Sequence, residues 1–107
     1  MNRITECLED MNVSYSIKRN YALIEFWTDT AGQDIPTEIE YDGTPEDFVK
    51  QFTQAADNYD VDEEVEIYAD MRGKRGVPNT IRELLDDCEE AKQTLTDIAE
   101  ALQEAIA

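Results

Sequence analysis

The chain has 107 residues, one domain's worth, and 41% of them are hydrophobic, so a single modest core can form. Against 26 Asp and Glu stand 9 Lys and Arg and no His, a net charge of −17. That balance excludes direct binding to nucleic-acid phosphates or acidic membrane surfaces, which needs clustered cations. It also exceeds the roughly 2 to 8 charges that keep a small domain soluble.

In chain order, Ile4, Cys7, Leu8 and Met11 follow the spacing of a short amphipathic helix, with Asn2 as its expected cap. The period then changes to two. Val13, Tyr15 and Ile17 alternate with polar residues, and Arg19-Asn20 forms a tight turn into a second strand over Tyr21 to Thr28. There Ala22, Ile24 and Phe26 share one face; Tyr21, Leu23, Glu25 and Trp27 share the other. Asp29 to Asp34 reads as a loop. Ile35, Thr37, Ile39 and Tyr41 then alternate with Pro36, Glu38, Glu40 and Asp42 as a third strand, with Pro36 at its start or edge.

Thr44-Pro45-Glu46-Asp47 announces a helix: an N-cap, a proline suited to the first turn, and an acid where a capping box wants one. Phe48, Phe52, Ala55, Ala56 and Tyr59 are its expected buried stripe. A further helix follows, capped by Asp60, with Val61, Val65 and Tyr68 inward. Residues 72–78, Arg-Gly-Lys-Arg-Gly-Val-Pro, read as a basic connecting loop. From about Asn79, the positions Ile81, Leu84, Cys88, Ala91, Leu95, Ile98, Leu102 and Ala105 step by three and four, a heptad-patterned helix about 40 Å long. Such a helix is longer than a domain of this size is expected to cover. Its first half is expected on the sheet, while Leu95, Ile98 and Leu102 are offered to another helix, a second copy's or a partner's. The fold class is therefore α+β: a helix, a three-stranded antiparallel sheet, then three helices. It divides into an acidic part over 1–78 and the long helix over 79–107.

Cys7 and Cys88 both fall at apolar helix positions. With no signal peptide in Met1–Asp10 and no apolar run near 18 residues, a reduced cytoplasmic protein is expected.

Chemistry-bearing patterns are few. Asp57 to Asp62 superficially matches a calcium loop, but Tyr59 and Asp62 stand where an oxygen ligand and a glycine are required, so no metal is expected. Without His, a phosphate-cradling loop or a nucleophile elbow, neither an enzyme nor a cofactor is expected. What stands out is carboxylate. Asp60, Asp62, Glu63, Glu64, Glu66 and Asp70 place six acids within eleven residues. Acids in a first turn complement the helix dipole, which accounts for the first four. Glu66 and Asp70, an i, i+4 pair of like sign, cost a few tenths of a kcal/mol. On the third strand Glu38, Glu40 and Asp42 recur every second residue, roughly 7 Å apart, a spacing resembling successive phosphates.

These segments together resemble the anti-CRISPR inhibitors of type II-A Cas9, small acidic proteins of a helix, a three-stranded sheet and two helices. The resemblance rests on Met1-Asn2-Arg3-Ile4 through Tyr15-Ser16-Ile17-Lys18, on residues 44–52, and on Asp62-Glu63-Glu64 through Tyr68-Ala69-Asp70-Met71. It covers residues 1–71. The chain also looks like small proteins carried on mobile elements of anaerobic gut Firmicutes. The resemblance implies a DNA mimic: Asp62, Glu63, Glu64 and Asp70 match the family's acidic helix, and Glu38 and Glu40 its acidic strand region. The heptad helix and the basic segment depart from the family. The expected partner is a basic nucleic-acid-binding protein, met through Glu38, Glu40, Asp42, Asp62, Glu63, Glu64, Glu66 and Asp70. The alternative is a non-catalytic interaction module, a homodimer for instance, acting through the C-terminal helix.

Overall fold

The alternation from Val13 onward makes a three-stranded antiparallel sheet, and the helices cover one of its faces. The computed structural model describes residues 1–27, 34–75 and 81–107, and at 26, 27, 34–36, 68, 69, 71–75 and 81 the backbone only. The strands are β1 (Ser14–Ile17), β2 (Tyr21–Trp27) and β3 (Asp34–Glu40), in the order β1-β2-β3. Register sets Tyr15 against Ile24 and Ile17 against Ala22, and on the other side Ala22 against Ile39. Side chains of period two thereby bring one apolar set to one face. Ala22, Ile24 and Ile39 on that face are buried.

α1 (Asn2–Asp10) buries Ile4 and Leu8, one turn apart. The expected Asn2 cap is not formed. Met1 precedes the first turn, and Asn2 is already helical, its carbonyl accepting from Thr5 Oγ1 at 3.0 Å. The helix ends because Asn12 adopts a left-handed φ of 58°, tolerated by Asn. Asn12 N–H then donates to Glu9 O and Val13 N–H to Leu8 O, satisfying terminal carbonyls.

The turn between β1 and β2 is held by Lys18 N–H donating to Tyr21 O at 2.7 Å. The buried Tyr41 reaches the same turn, its hydroxyl donating to Lys18 O at 2.6 Å. Gly43 follows with φ 97°, and a Cβ there would lie 3.1 Å from Arg19 O. Both the backbone angle and the close approach require glycine.

α2 (Pro45–Asn58) opens on the expected cap, Asp47 N–H donating to Thr44 Oγ1 at 3.2 Å. The Asp47 carboxylate reaches further back than a simple capping box, to Asp42 N–H at 2.9 Å. Phe48, Val49, Phe52 and Ala56 are buried, while Ala55 and Tyr59 are half-buried. Tyr41 packs edge-on against Phe48 at 5.2 Å between ring centres.

α3 (Val61–Arg75) begins with Glu63 N–H donating to Asp60 Oδ1 at 3.1 Å, the expected cap. It runs further than expected. Residues 72–75 form its last turn rather than a loop, where positive charge complements the helix's negative end. The remainder of the basic segment, and residues 29–33, lie outside the described residues.

α4 (Ile81–Ile106) packs against α1, α2 and α3. Its 26 residues span about 39 Å, nearly the molecule's longest dimension of 42 Å. The fold thus lengthens to match the helix. This corrects the expectation for its second half: Leu95, Ile98 and Leu102 are buried in one cluster with Ile4, Leu8, Phe48 and Phe52. The heptad pattern is satisfied within the chain, because α1 and α2 together supply the apolar surface it needs. The same cluster spans residues on both sides of position 78, so the long helix is part of one core.

Candidate acidic interface

The sheet face turned away from the helices carries Ser14, Ser16, Tyr21, Leu23, Glu25, Glu38 and Glu40. Register sets Glu40 against Tyr21 and Glu38 against Leu23, with Glu25 opposite Ser14. Glu38, Glu40 and Tyr21 are exposed; Leu23 and Glu25 are half-buried. Partial burial, then the Glu38 and Glu40 carboxylates, push the Tyr21 hydroxyl above its usual value. Beside them Ser14, Tyr15, Ser16, Leu23 and Glu25 line a shallow depression of about 150 Å³.

Asp42 does not belong to this group. β3 ends at Glu40, and the Asp42 carboxylate accepts from Thr44 N–H at 2.9 Å and Thr44 Oγ1 at 2.6 Å. Those hydrogen bonds hold its carboxyl below the ordinary 3.8. Its place in the period-two pattern is incidental; its work is to shape the entry to α2.

On α3, Asp62, Glu63, Glu66 and Asp70 are exposed as expected. Glu64 is different. It turns partly inward, and burial, then Glu63 and Asp60, push its carboxyl above 4.5. The two acidic sets are not brought together, since α3 packs on α4 and the sheet acids face away from the helical layer.

Two further features matter, and of their residues Ile67 and Asp87 escaped the sequence reading. Among the described residues the exposed large hydrophobics are Tyr21, 37% exposed, and Ile67, 45% exposed. Ile67 lies between Glu63, Glu66 and Asp70 at helical spacing, and Tyr21 lies beside Glu38 and Glu40. Ile67 could have been found as the apolar residue of this helix off the Val61/Val65/Tyr68 stripe. The second feature is Asp87, 4% exposed, whose carboxylate oxygens both lack a hydrogen-bond partner. Its signal was positional: three residues after Leu84 and four before Ala91, it interrupts the apolar stripe.

Next to Asp87, Cys88 is 1% exposed, and burial pushes its thiol up; the Tyr59 hydroxyl pulls it down, and Glu64 and Asp87 push it up again. Cys7 and Cys88 are free thiols. Lys92, one turn on, donates to Ala56 O, and to Asp57 O at 3.3 Å, the carbonyl end of α2. A second open groove of about 380 Å³ is lined by Met1, Asn2, Arg3, Ile4, Pro45, Glu46 and Ile106. Among the described residues no group of three or more His, Cys, Asp or Glu is arranged to hold a metal, and no helix is long and apolar enough to cross a membrane.

Comparison with protein-family models, with curated proteins and with solved structures found no match. The described surface presents exposed carboxylates around the exposed apolar side chains of Tyr21 and Ile67.

Proposed function

We propose that this protein is a non-catalytic acidic binding protein that occupies the cationic groove of a nucleic-acid-binding defence protein, a Cas nuclease or a restriction enzyme, as a DNA mimic. The observation that carries this reading is the coincidence of charge and apolar exposure. Among the described residues both exposed large hydrophobics, Tyr21 and Ile67, stand inside the acidic sets Glu38/Glu40 and Asp62/Glu63/Glu66/Asp70. A groove built for phosphates presents Arg and Lys. Carboxylates meet those charges, and an apolar anchor excludes water at the centre of each contact. Glu64 and Asp42 have no part in this reading, being turned inward and engaged with Thr44. Its place of action would be the cytoplasm, where such enzymes work, and free thiols suit that compartment.

The alternative module acting through the C-terminal helix draws no support from Leu95, Ile98 and Leu102, which are core. The test is a panel of purified Cas nucleases and restriction enzymes, assayed for inhibition at low and high salt. Inhibition that weakens steeply with salt, and weakens further in the Glu38→Gln/Glu40→Gln and Glu63→Gln/Glu66→Gln variants, supports mimicry. No salt-sensitive inhibition across the panel would sink it.

A further inference from the structure

The two edges of the sheet are built differently. The order β1-β2-β3 leaves β1 and β3 with a neighbouring strand on one side only. β3 carries Pro36 within it and Glu38 and Glu40 along it, and proline and charge are devices that keep an edge from pairing. β1 reads Ser14-Tyr15-Ser16-Ile17, with neither charge nor proline.

The backbone register fixes what this edge offers. In an antiparallel pair, residues bonded across to the neighbour alternate with residues whose N–H and C=O point the other way. Lys18 N–H donates to Tyr21 O across the turn, so the backbones of Ser16 and Ser14 face β2 as well. Tyr15 and Ile17 therefore turn their N–H and C=O groups outward. Among the described residues no other element bonds to those groups.

Alongside lies the depression of about 150 Å³ lined by Ser14, Tyr15, Ser16, Leu23 and Glu25. Leu23 stands opposite Ser16 and Glu25 opposite Ser14, so two small outer side chains leave both β2 residues open from that side. Glu25 is half-buried, and its cross-strand neighbours, Ser14 and Pro36, supply no cation. A partly desolvated carboxylate without a counter-charge favours an incoming one. A strand added to β1 would stand roughly 10 Å from β2, two strand spacings. The flexible four-carbon stem of a lysine, passing over Ser14, brings its ammonium to Glu25 across that gap.

We propose that β1 is a docking edge for an extended segment of a basic partner, which joins the sheet antiparallel as a further strand. Its backbone pairs with Tyr15 and Ile17. One apolar side chain passes over Ser16 to cover Leu23, and a Lys or Arg two residues on passes over Ser14 to meet Glu25. A second copy does not fit, because its own β1 has no cation and each copy carries −17. The inference does not rest on the proposed function: it uses the strand edge and Glu25, not Glu38, Glu40 or the acids of α3.

The probe is an acetylated, amidated hexapeptide, threonine-valine-threonine-lysine-threonine-valine, titrated into the isotope-labelled whole chain and followed by NMR. Before peptide is added, the amides of Tyr15 and Ile17 should exchange with solvent faster than that of Ser16. With peptide they should become protected and shift saturably, half-maximal below about 1 mM. N-methylation of the central threonine, whose amide meets β1, should abolish binding. N-methylation of the lysine, whose amide faces away, should leave it intact. Glu25→Gln should weaken the lysine peptide by about tenfold and leave its norleucine analogue unchanged. Ser14→Leu, which closes the depression at an exposed position, should weaken it too and serves if the Glu25 variant misfolds. Equal protection of Tyr15, Ile17 and Ser16 in the free chain would overturn the proposal. So would β1 amides unmoved by about 1 mM peptide, or binding indifferent to the methylated threonine or to both variants. Shifts confined to Glu38, Glu40 and α3 would show general attraction to negative charge instead. Concentration-dependent protection of β1 without peptide would give the edge to a second copy and overturn the proposed occupant.

Discussion

α2 and α3 have nearly the same length, 14 and 15 residues, and each begins with a side-chain cap and acids in its first turn. They pack on the same partner, α4. Yet α2 drives Phe48, Val49, Phe52 and Ala56 into the core, whereas among the described side chains of α3 Val61 and Val65 are only half-buried. The difference teaches that a cap and a first turn decide where a helix begins, while an apolar stripe decides how firmly it is attached. Capping contributes about 1 kcal/mol, and each fully buried large side chain about 1.5 to 3 kcal/mol. Firm attachment suits α2, which fixes the sheet through Tyr41 and Phe48.

The comparison breaks most visibly at Phe52. Phe52→Ala should cost about 3 to 5 kcal/mol of global stability, read as a lowered urea midpoint, because it empties a fully buried site. The opposite sign is expected on α4. Asp87→Leu should raise stability by about 1 to 3 kcal/mol, read by the same unfolding curve, since it removes an unpartnered buried polar group. If both variants lost stability equally, the two sites would be alike. Thr44→Ala should cost about 1 kcal/mol by loss of the cap on α2.

Acid titration sharpens the contrast further. Asp42, held below 3.8 by Thr44, contributes stability that is present above 3.8 and lost as pH falls through its lowered value. Glu64, raised above 4.5, contributes stability that is present below 4.5 and lost as pH rises through its raised value. Acidification from neutrality toward 4.5 should therefore first increase the protection of α3 amides, corrected for intrinsic exchange. Only below 3.8 should the entry to α2 weaken. Glu64→Gln should flatten the first effect. The smallest effect on stability is expected from Ile67→Ser, within about 0.5 kcal/mol because the side chain is exposed. If the proposed function holds, the same change should weaken partner binding far more than it weakens the fold.

Much of this was legible in the residues themselves. Thr44 and Asp60 marked helix starts because caps act within a few residues, and the alternation through β2 grouped Ala22 and Ile24 on one face, which the structure buries together with Ile39 of β3. The misreadings share one cause. Asp42 continued the period of Glu38 and Glu40 but left the strand to meet Thr44 and Asp47, a contact set by the turn at Gly43. Residues 72–75 looked like a loop because two glycines flank the basic pair, yet helix continues through them.

Local pattern alone determined the class of fold, the helix starts, the strand faces and the excess of carboxylate, because each depends on neighbours one to four residues apart. Only the tertiary structure decided which of those features are surface. It turned Leu95, Ile98 and Leu102 inward against Ile4 and Phe48, and enclosed Asp87 while leaving Ile67 and Tyr21 outside. Burial depends on what packs opposite, and for α4 the opposing residues come from elements as far away in the chain as α1. A heptad stripe specifies that a helix needs an apolar partner; the rest of the chain supplies it.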